Sequence, residues 1–203
     1  MGKNYMDSEV QNWFNNGLLL SERIICLEED ARDTEDNVIR INHLSRFIKS
    51  MRLLETIDSK SPITILVSTP GGCEYSGFGI YDRILESPCH VTVRCYGQVM
   101  SIGALIMQAA DDRQISPNCT MMIHDGYTTV VDASPKSLKA WADYGVVQCK
   151  KFHTILLDKM KRKDPDMSIV KIQNMCKDDC VIDADKAIEL GLADRVFEGK
   201  DEE

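Results

Sequence analysis

Apolar and polar positions alternate with two different periods along this chain. From Asp36 to Ile57, the residues Val38, Ile41, Leu44, Ile48 and Met51 recur at three- and four-residue spacing. That spacing predicts an amphipathic helix, started by Asp33 or Thr34. Ser61-Pro62 breaks it, and the apolar run Ile63 to Val67 predicts a buried strand. Tyr75 to Glu86 predicts a helix that stops at Ser87-Pro88. Val91 to Tyr96 alternates and is β-branched, as strands are, whereas Ile102 to Ala110 is apolar and rich in helix formers. Met121 to Ile123 predicts another strand. Ser134-Pro135 opens a long helix to about Met160, through Leu138, Trp141, Val146 and Leu156, with Pro135 in its first turn. Asp164-Pro165 closes that region, and a short helix follows Ser168. Such alternation predicts an α/β fold of parallel strands joined by helical crossovers.

Composition narrows the picture. A chain of 203 residues suits one domain with a substantial core. The net charge of −8 argues against sequence-independent nucleic-acid binding, which needs a basic footprint. No apolar stretch reaches the length of a membrane span, and Asp7 and Glu9 lie where a secretory signal would be apolar. The eight cysteines include no Cys-x-x-Cys pair. Cys176 and Cys180 are the closest, with no histidine cluster to complete a zinc site, so no metal is expected. Most cysteines sit in apolar runs, which predicts free buried thiols and a reducing cytoplasm. The acidic tail, residues 198–203, is expected to fray.

Three short stretches carry chemistry. Gly97-Gln98-Val99-Met100-Ser101-Ile102-Gly103-Ala104 places one serine between a strand-like run and an apolar helix. A serine there lies at a helix start, where free N–H groups can stabilise an oxyanion; alone it is more often a helix cap. Ser68-Thr69-Pro70-Gly71-Gly72 ends a strand in a sharp turn with bare backbone. Met121-Met122-Ile123-His124-Asp125 delivers a single histidine at a strand end. A serine, a histidine and a Gly-Gly turn together point to nucleophilic catalysis.

These residues resemble the proteolytic subunit of the Clp protease (ClpP), a family of self-compartmentalising serine peptidases. The resemblance runs from Leu19-Leu20-Ser21-Glu22-Arg23-Ile24-Ile25, through Pro70-Gly71-Gly72 and Gly77-Phe78-Gly79-Ile80-Tyr81-Asp82, to Ala184–Asp194. Gly97 to Ala104 match the nucleophile stretch, and Pro117-Asn118-Cys119 with Met122-Ile123-His124 match the histidine stretch. The resemblance implies the ClpP/crotonase-like β-α-β superhelix with a projecting handle helix. It implies an N-terminal segment at 1–18, a peptidase domain at 19–197, a handle at about 125–160 and an acidic tail at 198–203.

It further implies Ser101 as nucleophile, His124 as base and Asp179 as the third member, with Asp178 as the competing choice. The backbone N–H groups of Gly72 and Ile102 would form the oxyanion hole. At Gly72 a Cβ is expected to obstruct substrate. No cofactor or metal is implied. The implied partners are unfolded polypeptides, six or more further copies in a heptameric ring or stacked rings, and an AAA+ unfoldase. No nucleotide-binding Gly-x-x-x-x-Gly-Lys motif occurs in the chain itself.

The chain also departs from the family pattern. After His124 it reads Asp125-Gly126-Tyr127-Thr128-Thr129 in place of Gln-Pro and a glycine-rich stretch. Thr64 and Leu66 stand where the family has docking tyrosines, so unfoldase docking is less secure than the peptidase chemistry. This divergence resembles phage-encoded or specialised members. Two other readings compete: a catalytically silent ring subunit, and a crotonase-fold enzyme acting on an acyl-CoA thioester. The second needs no Ser/His/Asp set. Trp141 and Tyr144 lie either in the core or at a contact with a neighbouring copy.

Overall fold

The structure is a computed structural model that describes residues 2–27, 38–127 and 129–197. The elements run α1 (Gly2–Asn16), β1 (Leu18–Leu19), β2 (Ile24–Leu27), α2 (Ile41–Ile57), β3 (Ile63–Thr69), α3 (Glu74–Leu85), β4 (Val91–Met100) and α4 (Ile102–Met107). They continue with β5 (Asp112–Ile115), β6 (Thr120–Ile123), α5 (Pro135–Met160), α6 (Ile169–Cys176), β7 (Cys180–Ile182), α7 (Ala184–Glu189) and β8 (Arg195–Val196).

The sheet is ordered β1-β2-β3-β4-β5-β8, with β6 beside the far end of β4 and β7 beside β6. β2, β3, β4, β5 and β8 run parallel along this path, as expected of strands joined by helical crossovers. Two pairs are antiparallel, β1 with β2 and β6 with β7, and the sequence pattern did not anticipate them.

β3 is buried on one face only. Ile63, Ile65, Val67 and Thr69 are buried, while Thr64, Leu66 and Ser68 are half-exposed. The continuous apolar run therefore corresponds to an alternating strand, not to one buried on both faces. β4 continues the inner face with Val91, Val93 and Cys95. Burying side chains of this size stabilises the fold by about 1.5–3 kcal/mol each. α3 then crosses α4 so closely that a Cβ at Gly77 would stand 2.0 Å from Ile102 Cγ1.

α2 begins at Ile41, later than the pattern suggested, with Arg40 as its N-cap. The expected caps Asp33 and Thr34 lie outside the described residues, as does the acidic tail. Its buried face is His43, Phe47, Ser50, Met51 and Leu54. Ile41 and Ile48, assigned to the apolar stripe from sequence, are instead exposed at 70% and 43%. α5 starts where expected. Ser134 caps it by accepting from Ser137 N, with Pro135 in the first turn. Its buried residues, Gln148, Phe152, His153, Leu156 and Met160, all lie in its second half. Trp141 and Tyr144 in its first half are exposed, which settles them outside the core. All eight cysteines are free thiols; Cys89, Cys95, Cys119 and Cys176 are buried, whereas Cys73 is exposed.

Candidate active site

Strand register assembles the site. β4 and β6 run parallel, with Met100 opposite Met122, and Ser101 N donates to Met122 O at 2.8 Å. β6 and β7 run antiparallel, with Ile123 opposite Cys180. The residue following Ile123 is thereby set beside the residue preceding Cys180, and these are His124 and Asp179. His124 Nδ1 lies 3.1 Å from Asp179 Oδ1, and His124 Nε2 lies 2.9 Å from Ser101 Oγ. Asp179, and not its neighbour Asp178, thus meets the imidazole. A carboxylate only accepts, so Nδ1 carries the proton and Nε2 is free to accept from the serine hydroxyl. Distances and tautomer match a Ser-His-Asp relay.

Ser101 is held in an uncommon conformation. Its φ of 53° and ψ of −123° fall in a region that non-glycine residues rarely adopt. β4 runs on past Gly97, itself at φ 61°, instead of ending at Tyr96. The strand delivers Ser101 directly to the start of α4, and the sharp turn presents Oγ at that junction.

The Gly-Gly turn lies against the serine, but its two glycines do different work. Gly71 has φ +114°, and a Cβ there would stand 2.7 Å from Ser101 Cβ and 3.3 Å from its Oγ. Gly72 has φ +137°, and a Cβ there would meet Ile39 N at 2.4 Å. The glycine at Gly72 is therefore required by Ile39, whereas a Cβ at Gly71 would press on the serine itself. Gly71 N donates to Thr69 Oγ1 at 3.1 Å. Among the described residues, no acceptor is recorded for the N–H of Gly72 or of Ile102.

Two features were not read from sequence. Glu74, at the first turn of α3, is half-buried near His124. Burial raises its carboxyl pKa, and the nearby imidazole opposes that shift. An isolated glutamate beside a Gly-Gly turn gives no periodic signal. The second is a cavity of about 470 Å³ next to the histidine loop. Its walls include Glu74, Gly126, Tyr127, Trp141, Val146 and Cys149. Its wall is assembled from four segments distant in sequence, so local pattern could not reveal it. Deeper in, burial pushes the Cys176 thiol up to about 12, and Asp125 adds to that.

Comparison with known proteins identifies the family. The Clp protease family model matches residues 7–200. ATP-dependent Clp protease proteolytic subunit 1 of Salinibacter ruber is 27% identical over 187 residues, covering 88% of this chain and 72% of that protein. A mutant of ClpP1 from Listeria monocytogenes has a similar fold, with a TM-score of 0.76 at 22% identity, over 90% of this chain and 95% of that one. With a family match across almost the whole sequence and a fold in agreement, this chain belongs to the Clp protease family.

Proposed function

We propose that this chain is a serine endopeptidase that hydrolyses peptide bonds of unfolded polypeptides through Ser101, His124 and Asp179. The observation that carries the reading is the continuous contact Ser101 Oγ, His124 Nε2, His124 Nδ1, Asp179 Oδ1, at 2.9 Å and 3.1 Å. Ser101 Oγ attacks the carbonyl carbon while His124 takes its proton. The imidazolium, stabilised by Asp179, returns that proton to the leaving amine, and the acyl-enzyme is then hydrolysed by water. The N–H groups of Gly72 and Ile102 hold the oxyanion, and removing one such donor costs roughly 10²–10³-fold in rate.

The working unit is a homo-oligomeric ring, heptameric or stacked, with an AAA+ unfoldase feeding it. The exposed apolar residues Leu138, Trp141, Val146 and Val147 on α5 support assembly. Residues 19–197 form the peptidase domain, with 125–160 as the handle. A reducing cytoplasm suits the free thiols.

A fluorophosphonate probe tests the chemistry. The wild type is expected to be labelled at Ser101, and Ser101→Ala to remain unlabelled. A folded, assembled wild type that takes no label would instead identify a silent ring subunit.

A further inference from the structure

Behind the histidine loop, three segments distant in sequence bring unlike donor groups together. Asp125 follows His124, His153 lies on α5, and Cys176 ends α6. One ligand atom from each lies within 4.8 Å of the other two. His153 is 3% exposed and Cys176 is 0% exposed. His153 Nε2 lies 2.5 Å from Asp125 Oδ1, while its buried Nδ1 has no partner. The Asp125 side chain is 43% exposed and, with His153 and Cys149, reaches the cavity beside the loop. Cys149 Sγ stands 3.3 Å from Asp125 O, so a second thiol borders the same point.

We propose that Asp125, His153 and Cys176 form a binding site for a borderline-soft divalent cation, zinc above all, with its fourth position open to the cavity.

The donor set is one oxygen, one imidazole nitrogen and one sulfur, which suits zinc and excludes magnesium and calcium. Zinc bonds of about 2.0–2.3 Å place tetrahedral donors roughly 3.3–3.8 Å apart. To meet this, His153 Nε2 and Asp125 Oδ1, now 2.5 Å apart, part by about an ångström, and the Cys176 sulfur, within 4.8 Å of both groups, draws in by about as much. Charge also balances. A carboxylate, a thiolate and a neutral imidazole around a dication sum to zero, the least costly state for a site this deep. On binding, Cys176 exchanges its S–H bond for an S–metal bond and releases the proton to solvent. The orphaned His153 Nδ1 is accounted for too. It is an imidazole nitrogen that Asp125 does not already engage. Once bound, the cation ties the chain leaving β6 to α5 and α6, and so steadies the backbone that carries His124. The sequence suggests no metal because Cys176 has no Cys-x-x-Cys partner and no histidine cluster near it along the chain. This inference does not depend on the peptidase reading, because none of the three donors is Ser101, His124 or Asp179.

Cobalt(II) provides the test, as a spectroscopic stand-in for zinc. Full-length protein, stripped with a chelator and dialysed, is titrated with Co²⁺. One equivalent is expected to produce a thiolate-to-cobalt charge-transfer band and intense visible bands of tetrahedral cobalt, both erased by Zn²⁺. Cys176→Ser should lose the charge-transfer band. His153→Gln should weaken cobalt binding by more than about tenfold. Cys73→Ser, at the exposed cysteine, should match the wild type. Should Cys176→Ser fail to fold, Asp125→Asn takes its place, and there the charge-transfer band should appear only at a Co²⁺ concentration more than about tenfold higher. A wild type without a charge-transfer band, or bands that persist unchanged in both Cys176→Ser and His153→Gln, overturns the proposal.

Discussion

Gly71 is pressed against the nucleophile, and its replacement separates geometry from stability. In Gly71→Ala the new methyl would lie 2.7 Å from Ser101 Cβ, so the serine must shift. Displacing a reacting group by about 1 Å costs roughly 10²-fold in rate. Specific peptidase activity should fall by about that factor, while unfolding changes only by the strain of φ +114°, about 1–3 kcal/mol. Wild-type turnover in this variant would refute the placement. Asp179 makes a second case. Its carboxylate is 69% exposed, so water competes for its role. Asp179→Asn should lower kcat by up to about 10⁴-fold, less than the roughly 10⁶-fold loss from removing Ser101. Equal losses would contradict an orienting role. Ser101 was legible in sequence because it joins a strand-like run to an apolar helix-like run, and His124 because it ends an apolar run where the chain turns polar. Asp179 was legible only through resemblance, since Asp178 has the same chemistry. What separates them is the pairing of Ile123 with Cys180, which no local pattern encodes.

Among the elements, those with clean apolar periodicity were read well and those stabilised by buried polar groups were not. α3 and α5 fall within a residue of their expected bounds. β5 carries no apolar alternation, reading Asp112-Arg113-Gln114-Ile115, yet Arg113 and Gln114 are buried. Arg113 donates to Asp194, to Gln108 Oε1 at 2.7 Å and to Gly191 O at 2.7 Å, tying β5 to the turn before β8. Burial alone would raise the Asp194 carboxyl, but the hydrogen bonds from Arg113 outweigh it and hold the pKa low. Arg113→Met strands these acceptors and should cost about 3 kcal/mol in denaturant unfolding, the low end for a pair whose acid is partly solvated. A loss below about 1 kcal/mol would show the network to be ornamental. The end of α2 gives a pH-dependent counterpart. Asp58 accepts from Ser61 Oγ, Lys60 N and Ser61 N, which lowers its pKa from 3.8 to about 2. A folded pKa below the unfolded one stabilises the protein above the unfolded value, and this is lost as pH falls through the folded value. Asp58→Ala should therefore melt below the wild type at pH 7, with the gap closing between about pH 4 and pH 2. A gap independent of pH would rule out this linkage.

For the whole molecule, the misread stripe of α2 points to assembly. Ile41, Ile48, Leu53 and Ile57 leave the helix at 70%, 43%, 44% and 58% exposure, because Phe47, Met51 and Leu54 already fill its inward face. α5 presents a separate apolar surface in Trp141, Val146 and Val147, on the half that packs least on its own chain. A monomer rarely leaves two such faces wet. If α2 faces the next copy around a ring and α5 faces a second ring, charges on the two faces must act differently. Ile48→Glu with Leu53→Glu should yield monomers in sedimentation velocity, because every lateral contact is struck. Trp141→Glu with Val147→Glu should halve the particle and leave single rings, since lateral contacts survive. Both pairs replace side chains that already touch water, so the fold of the single chain should keep its unfolding free energy to within about 1 kcal/mol. Monomeric wild type at micromolar concentration would remove the chamber from the proposal. Identical products from both pairs would mean that the two faces serve one interface.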